Sequence, residues 1–257
     1  MNRKIGIFDS GLGGLSILKE LMKILPNEDY IYYGDSINNP YGEKSEEELF
    51  AITSNIVEYL IKENCKLIVV ACNTATTSCI KKLREKYKDI IFVGTVPAIK
   101  VAYDNNYKNV VVLSTNYTMK SKRVEELIYN YKNDDQEIIN ISGENLANLI
   151  ELDEKEQISK LLNDLLSKYK DKADAVVLGC THYSLIKEEI KKVLPNAIIL
   201  DGNIGVSREV KRILEDKNLL NSNGGNIIIQ NNKNDALVSR SYEILENFNE
   251  GNVKRKI

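Results

Sequence analysis

Short apolar runs rich in Ile and Val recur along the chain and are separated by longer stretches with helical periodicity. This alternation is typical of an α/β protein with a mostly parallel sheet, because parallel strands are usually joined by a crossover helix. Nine runs are predicted to be strands: residues 4–8, 30–33, 67–71, 90–93, 110–113, 137–141, 175–178, 197–200 and 226–229. Nine strands are many for one sheet.

Apolar residues at helical spacing predict amphipathic helices between these runs. Leu15, Leu18 and Leu21 form one such apolar stripe. Ser45 and Glu48 form the pattern of a capping box, which predicts that the next helix begins just after Ser45. Further helices are predicted over residues 74–87, 118–131, 154–169, 184–193, 205–216 and 235–248.

The two halves of the chain have similar strand ends. In each half, one strand ends in carboxylate or hydroxyl residues, Asp-Ser at residues 9–10 and Ser-Thr at residues 114–115. Another strand of each half ends in a cysteine followed by polar residues, at Cys72 and Cys180. Two related α/β units facing one another would bring these ends together, although buried strands also resemble one another by chance.

The repeat predicts two domains of α/β class. We place the first over residues 1–95 plus 207–257 and the second over residues 96–206, with the changeover near Pro97. No low-complexity linker marks either crossing.

Composition excludes several kinds of partner. Lys and Arg number 35 against 37 Asp and Glu, and a net charge of -2 gives no general attraction to nucleic acid or to an anionic membrane. The apolar runs are shorter than the roughly 20 residues that span a bilayer, and the first residues lack a signal-peptide pattern. We therefore expect a cytoplasmic protein with a small-molecule partner, whose four cysteines are reduced thiols.

Cys72 and Cys180 each follow a predicted strand and precede a predicted helix. Ligands bind at the carboxyl ends of parallel strands, where a helix N-terminus supplies free N–H groups and favours a thiolate. Either thiol could act as base or nucleophile, and the alternative for each is core packing. Cys65 and Cys79 fall in predicted helical segments and are interpreted as packing residues.

The segment Asp9–Ser10–Gly11 joins the first strand to the first helix. A dinucleotide-binding turn is one interpretation, with Asp35 as its ribose acid, but Ser16 stands where the third glycine belongs. Asp9 would bind a substrate ammonium or orient an acid–base group. Alternatively, Asp9 and Ser10 cap the helix.

His182 is the single histidine of the chain, so any imidazole chemistry must use it. With no Cys-x-x-Cys pair, a closed zinc site is not expected. A phosphatase-type thiol loop would need an arginine where Ser78 stands. A cysteine hydrolase stays conceivable, although it leaves one of the matched thiols unexplained.

Five segments together resemble the glutamate racemases of the cofactor-independent aspartate/glutamate racemase superfamily. They are DSGLGGL at residues 9–15, YGD at 33–35, NPYGEK at 39–44, ACNTAT at 71–76 and LGCTHY at 178–183. The resemblance runs over nearly the whole chain. It implies two pseudo-symmetric α/β domains with the active site in the cleft between them, and a homodimer.

The resemblance also implies a reaction, the interconversion of L- and D-glutamate, which supplies D-glutamate for peptidoglycan synthesis. Racemisation removes a proton from one face of the α-carbon and returns one to the other, so two acid–base groups are required. By resemblance, Cys72 deprotonates D-glutamate with help from Asp9, and Cys180 deprotonates L-glutamate with help from His182. No cofactor and no metal are expected.

The remaining site residues also follow from the resemblance. Glu151 matches an auxiliary catalytic glutamate, although Gly143 and Glu144 replace the Cys-Pro run that often precedes it in the family. The implied substrate-binding residues are Asp9, Ser10, Tyr41, Gly42, Asn73, Thr74, Thr115, Thr118, Thr181 and His182. Capping of a helix beginning near Met119 is the alternative for the two threonines Thr115 and Thr118.

Two alternative functions stay open. One is a racemase of aspartate or another acidic amino acid, because a side chain one methylene shorter changes binding by only about 1–3 kcal/mol. The other is a non-catalytic relative that binds an amino acid, for which the two thiols would be unnecessary.

Overall fold

A computed structural model describes residues 2–131 and 135–246. Contacts within the described residues divide the chain into two compact units. One takes the chain up to Thr95 and again from Asn203 onward, and the other comprises Val96–Gly202. The second crossing lies at the start of a helix, Asn203–Asp216, four residues before the predicted boundary. That the two parts are separately folding domains stays a prediction.

The first unit contains a five-stranded sheet whose described strand pairs are all parallel, in the order β4-β3-β1-β2-β9. Its strands are β1 (Lys4–Asp9), β2 (Tyr30–Gly34), β3 (Cys65–Val70), β4 (Ile91–Gly94) and β9 (Ile227–Asn231). Its helices are α1 (Leu15–Ile24), α2 (Glu46–Lys62), α3 (Asn73–Lys86), α10 (Asn203–Asp216) and α11 (Asp235–Glu246), with a 3-10 turn at Tyr41–Glu43.

The second unit contains a four-stranded parallel sheet in the order β6-β5-β7-β8. Its strands are β5 (Asn109–Ser114), β6 (Glu137–Ser142), β7 (Ala175–Gly179) and β8 (Ile198–Leu200). Its helices are α4 (Ile99–Asp104), α5 (Asn116–Met119), α6 (Lys122–Tyr131), α7 (Leu146–Glu151), α8 (Lys155–Leu166) and α9 (Lys187–Val193), with 3-10 turns at Ser167–Tyr169 and Thr181–Ile186.

The two sheets share one strand order. Read in the same direction, β4-β3-β1-β2 of the first unit matches β8-β7-β5-β6 of the second, and β9 extends the first sheet by one strand. The strand that precedes Cys72 and the strand that precedes Cys180 therefore occupy equivalent places. This order confirms the prediction of two similar α/β units with parallel sheets.

Apolar strand residues are buried between the sheets and their helices. On one face of the first sheet, Phe8, Ile68 and Val70 pack against α2 and α3 residues such as Leu60 and Leu83. In the second unit, clusters that include Val111 and Leu178 on one side and Val112 and Val177 on the other cover both faces of the sheet. Strands buried on both faces read as continuous apolar runs, which is why the sequence predicted them.

All nine predicted strands are present, but some predicted elements were wrong in detail. Cys65 begins β3 and does not lie in a helix. The predicted helix 118–131 is divided into α5 and α6, and the predicted helix 184–193 begins as a 3-10 turn. The short helices α4 and α7 were not predicted, and residues 247–248 of the last predicted helix lie outside the described residues.

No helix in the described part of the chain has the length and apolar character needed to span a bilayer.

Candidate active site

Cys72 lies at the carboxyl end of β3 and is the N-cap residue of α3, as the sequence predicted. Its extended backbone (φ -72°, ψ 126°) turns the chain from strand to helix. Cys72 is 6% exposed and belongs to the apolar cluster that includes residues of β3 and α3. The position joins a parallel strand end to a helix N-terminus, where N–H groups and the helix dipole favour negative charge.

Asp9 ends β1, the strand beside β3, and is fully buried. Its Oδ2 accepts a hydrogen bond from the Gly11 N–H at 3.1 Å. The N-cap residue of α1 is Gly14, so neither Asp9 nor Ser10 occupies the N-cap position of this helix. A Cβ at Gly14 would lie 2.8 Å from the Asp9 Cβ and 2.9 Å from the Ala71 Cβ, so glycine lets α1 start against both strand ends.

Asn73 directly follows Cys72 and opens α3. Its side-chain Oδ1 is buried and has no hydrogen-bond partner among the described residues. Buried amide oxygens are normally hydrogen bonded, because leaving one unpaired costs about 1–3 kcal/mol. An unpaired acceptor next to a thiol at a strand end suits a ligand that donates a hydrogen bond.

Tyr41 lies in the 3-10 turn that packs on α3, and its hydroxyl donates to Asp35 Oδ2 at 2.6 Å. Burial, then the charge of Asp35, raises the pKa of Tyr41 well above its usual value, and the charges of Cys72 and Asp9 contribute in the same direction. Tyr41 therefore lies close to both groups. Burial also raises the pKa of Asp35, although hydrogen bonding to Tyr41 opposes the increase.

Asp35 is a residue whose role sequence reasoning missed. It was considered only as the ribose acid of a dinucleotide turn, whereas the structure places it under Tyr41 with Asn38 and Asn232 as further donors. Asn232 comes from the segment after β9, about 200 residues along the chain. No local pattern links the two, so only the fold reveals this network.

Cys180 occupies the equivalent strand end in the second unit, after β7 and before the 3-10 turn Thr181–Ile186. It is 9% exposed and packs at the edge of an apolar cluster. Its Sγ lies 3.9 Å from Nδ1 of His182, the second residue of the turn. The thiol thus has an imidazole nitrogen within reach for proton transfer.

Glu151 completes a line of three groups in the second unit. It is the last residue of α7, and its Oε1 lies 2.7 Å from His182 Nε2. Both side chains are buried. When Nε2–H donates its hydrogen bond to this carboxylate, Nδ1 of the neutral ring is the nitrogen that can accept a proton from Cys180. The carboxylate also stabilises the imidazolium that forms.

Thr115 directly follows β5, the strand beside β7, and Thr118 lies in the short helix α5 that comes next. Thr115 caps α5, because its Oγ1 accepts from the Thr118 N–H at 3.2 Å. Its hydroxyl also lies 3.1 Å from the Thr118 Oγ1. The capping alternative is therefore correct for Thr115, although the capped helix starts at Asn116 and not near Met119.

Cys65 and Cys79 differ from the other two thiols. They are 2% and 0% exposed, and they pack among apolar side chains. Burial raises the pKa of Cys65 to about 12 and also raises that of Cys79. Thiols held protonated by burial are unreactive, which agrees with the prediction that both are packing residues.

The structure groups the predicted site residues by unit. The first unit contains Asp9, Ser10, Tyr41, Gly42, Cys72, Asn73 and Thr74, and the second contains Thr115, Thr118, Glu151, Cys180, Thr181 and His182. All are buried except Gly42 and Thr115, which are half-buried. Within residues 2–131 and 135–246, no three His, Cys, Asp or Glu side chains are grouped to hold a metal ion.

The two α/β units have the same strand order, and each has a thiol and acid–base side chains at its strand ends. This arrangement is that of a protein class suited to proton transfer. A sequence profile of the Asp/Glu/Hydantoin racemase family matches residues 14–207. The chain belongs to this family.

The relatives of this chain are similar over almost their full length. A glutamate racemase of Clostridium botulinum (strain Alaska E43 / Type E3) is 43% identical over 253 residues, which is 95% of this chain and 98% of the relative. A glutamate racemase of Clostridium acetobutylicum is 41% identical over 252 residues, 95% of this chain and 98% of the relative.

Solved structures are similar as well. Escherichia coli glutamate racemase in complex with L-glutamate and the activator UDP-MurNAc-Ala matches with a TM-score of 0.82 at 30% identity, over 96% of each chain. The Francisella tularensis glutamate racemase in complex with D-glutamate matches with a TM-score of 0.80 at 30% identity, over 95% of this chain and 94% of that one.

Proposed function

We propose that this protein is a glutamate racemase that interconverts L- and D-glutamate with Cys72 and Cys180 as its two bases. One observation carries the proposal. The two thiols occupy equivalent strand ends in units of the same strand order, and each lies in a unit that supplies a buried acid–base group beside it. The names of the relatives at 41–43% identity support glutamate as the substrate.

The proton transfers balance as follows. In the direction from D to L, the Cys72 thiolate takes the α-proton of D-glutamate and becomes a thiol. The Cys180 thiol gives its proton to the opposite face of the α-carbon and becomes a thiolate. In the reverse direction the roles exchange, so each enzyme form begins with one thiolate and one thiol. This scheme requires both sulfurs to reach one α-carbon.

The auxiliary groups are assigned from the family resemblance, and their positions support the assignment. Asp9 assists proton transfer at Cys72, with Tyr41 close to both. His182 assists Cys180 from 3.9 Å, and Glu151 supports the imidazolium from the far side of the ring. The oriented charge on Glu151 lowers the free energy of the ion pair that forms when His182 takes the thiol proton.

Substrate binding is assigned to polar groups at the same strand ends. The unpaired Oδ1 of Asn73 is an acceptor for the substrate ammonium, and hydroxyls and N–H groups hold the carboxylates. The proposed contacts are Asp9, Ser10, Tyr41, Gly42, Asn73, Thr74, Thr115, Thr118, Thr181 and His182. The hydroxyl and N–H donors among them would stabilise the negative charge that develops on the substrate carboxylate as the α-proton leaves.

Single cysteine variants test the two-thiol scheme. Cys72→Ala and Cys180→Ala should each reduce racemisation in both directions by about 10²–10⁴-fold or more, the contribution of a general acid–base group. Cys79→Ala is the matched control, because it removes a buried thiol from the helix that follows Cys72 and should leave the rate nearly unchanged. A wild-type rate in either site variant would refute the scheme.

Substrate preference is tested on the same preparation. We expect kcat/KM for glutamate to exceed that for aspartate. A higher value for aspartate would assign the alternative activity, and binding of glutamate without α-proton exchange would assign a non-catalytic role.

Three finer points of the proposal rest on the family resemblance. The D-glutamate formed would supply peptidoglycan synthesis, the enzyme would act in the cytoplasm, and it would be a homodimer. Sedimentation of the purified chain tests the dimer. Depletion in cells, with rescue by added D-glutamate, tests the role in the cell wall.

A further inference from the structure

Tyr183 follows His182 in the 3-10 turn, is fully buried and belongs to the same apolar cluster as Cys180. Its hydroxyl donates a hydrogen bond of 2.8 Å to the backbone carbonyl of Gly143. Burial raises the pKa of Tyr183 well above its usual value, and the nearby Cys180 adds to the increase. The phenol therefore keeps its proton and remains a donor.

Gly143 is held from three sides. Its N–H donates to the Ser114 carbonyl at 2.8 Å, and its own carbonyl accepts from the Leu146 N–H at 3.1 Å as well as from Tyr183. A Cβ at this position would lie 2.5 Å from the Tyr183 hydroxyl oxygen and 2.9 Å from the ring carbon that carries it. A side chain at this position would overlap the phenol, so glycine is the residue that leaves room for Tyr183.

The segment after Gly143 leads to Glu151. Helix α7 starts at Leu146 and ends at Glu151, and it packs against the turn that carries His182 and Tyr183. The helix is thus tied to that turn at both ends, by Tyr183 to Gly143 before its first residue and by His182 to Glu151 at its last. Because α7 is only six residues long, a shift in the position of its first residue also shifts Glu151 at its last.

We infer that Tyr183 and Gly143 are positioning residues that set the Glu151 carboxylate against His182. The hydrogen bond between Tyr183 and Gly143 fixes the position of the start of α7. It thereby sets the distance between the Glu151 carboxylate and the His182 imidazole. This inference rests on the proposed function, because the imidazole is the group assigned to assist Cys180.

The His182 imidazole reports on this role without any activity measurement, since the chain has one histidine. In ¹⁵N-resolved NMR spectra, Tyr183→Phe should shift the ring resonances of His182 towards those of Glu151→Gln. Tyr103→Phe is the matched control, because its buried hydroxyl lies in the same unit and has no hydrogen-bond partner among the described residues. That variant should leave the resonances unchanged.

Kinetics give a second readout through a double-mutant cycle. Tyr183→Phe should lower kcat/KM about two- to tenfold, the effect of one neutral hydrogen bond. In a Glu151→Gln background the same change should have little further effect, because both substitutions act on one contact. An equal loss in both backgrounds would show a general structural role and overturn the inference.

Gly143→Ala disturbs the contact between Tyr183 and Gly143 from the glycine side. It provides a second test of the positioning role if Tyr183→Phe folds poorly. Its Cβ overlaps the phenol oxygen, so we expect the same shift of the His182 resonances, partly reversed when Tyr183→Phe removes that oxygen. His182 resonances identical to wild type in these variants would overturn the positioning role in an active enzyme. A wild-type chain without racemase activity would instead defeat the proposed function.

Discussion

The strand ends at Cys72 and Cys180 share a backbone plan and differ in the groups around the thiol. In register, Phe8 pairs with Val70 two residues before Cys72, and Leu113 pairs with Leu178 two residues before Cys180. The fold therefore places the two sulfurs at equivalent strand ends. The groups around each sulfur depend on the individual side chains of its unit.

Extending the strand register beyond those pairs shows which side chains differ between the two units. Asp9 and Ser114 occupy equivalent strand positions, so the carboxylate of the first unit is a hydroxyl in the second. Two residues after each cysteine stand Thr74 and His182, so the imidazole is present only in the second unit. The comparison teaches that one scaffold places a carboxylate near one thiol and an imidazole backed by Glu151 near the other; under the proposed function, these are two ways to assist the same proton transfer.

Among the groups that differ between the two strand ends, Asp9 and His182 should have the largest effect on activity when they are removed. Asp9→Asn and His182→Gln should each reduce kcat/KM by about 10²-fold or more, because each removes an acid–base partner of one thiol. Ser114→Ala is the control at the position equivalent to Asp9 and should stay near wild type. If Asp9→Asn is as mild as Ser114→Ala, the assignment of the carboxylate to Cys72 is wrong.

A smaller loss of activity is expected from substitution of Glu151, because this residue acts on the Cys180 sulfur only through His182. Glu151→Gln should cost less activity than His182→Gln. Loss of the adjacent carboxylate makes the imidazolium less favourable, so proton transfer from Cys180 to His182 should be slowed but not abolished. Measuring kcat/KM for both variants tests this order, and a larger loss in Glu151→Gln than in His182→Gln would contradict it.

Tyrosines beside the two thiols sharpen the comparison further, since Tyr41 donates to a carboxylate and Tyr183 to a backbone carbonyl. Tyr41→Phe removes one donor from buried Asp35 and should lower the free energy of unfolding by about 1–3 kcal/mol. Urea denaturation measures this change, with Tyr103→Phe as the control for loss of a buried hydroxyl without a hydrogen-bond partner among the described residues.

The effect of Tyr41→Phe should depend on pH. Burial raises the pKa of Asp35, so the native state holds a proton that the unfolded chain has already lost, and this group makes stability fall as pH rises through that window. Losing the Tyr41 hydrogen bond raises this pKa further. The variant should therefore lose more stability at pH 7 than at pH 4, and an equal loss at both would contradict the stated role of the bond.

The strands and the two thiol positions were predictable because they depend on local pattern. Buried parallel strands read as Ile- and Val-rich runs, and a cysteine placed directly after such a run must lie at a strand end. The capping box at Ser45 and Glu48 was likewise visible in four residues and is present in the structure.

Other features depended on contacts between distant residues. Short helices such as α7 bury few residues and give little periodicity, so α7 was missed even though Glu151 at its end was expected in the site. The bonds from Asn232 to Asp35 and from Tyr183 to Gly143 join residues 197 and 40 positions apart. Cys65 was misplaced because it begins β3 only three residues after the last residue of α2.

Solvent exchange at the α-carbon tests the two-base account most directly. When D-glutamate is incubated with the enzyme in deuterium oxide, the first L-glutamate formed should carry one α-deuterium while the remaining D-glutamate stays protiated, because the departing and arriving hydrogens reside on different thiols. Product that retains the substrate's own hydrogen, or deuterium that enters D-glutamate as fast as L-glutamate appears, would contradict a transfer between Cys72 and Cys180.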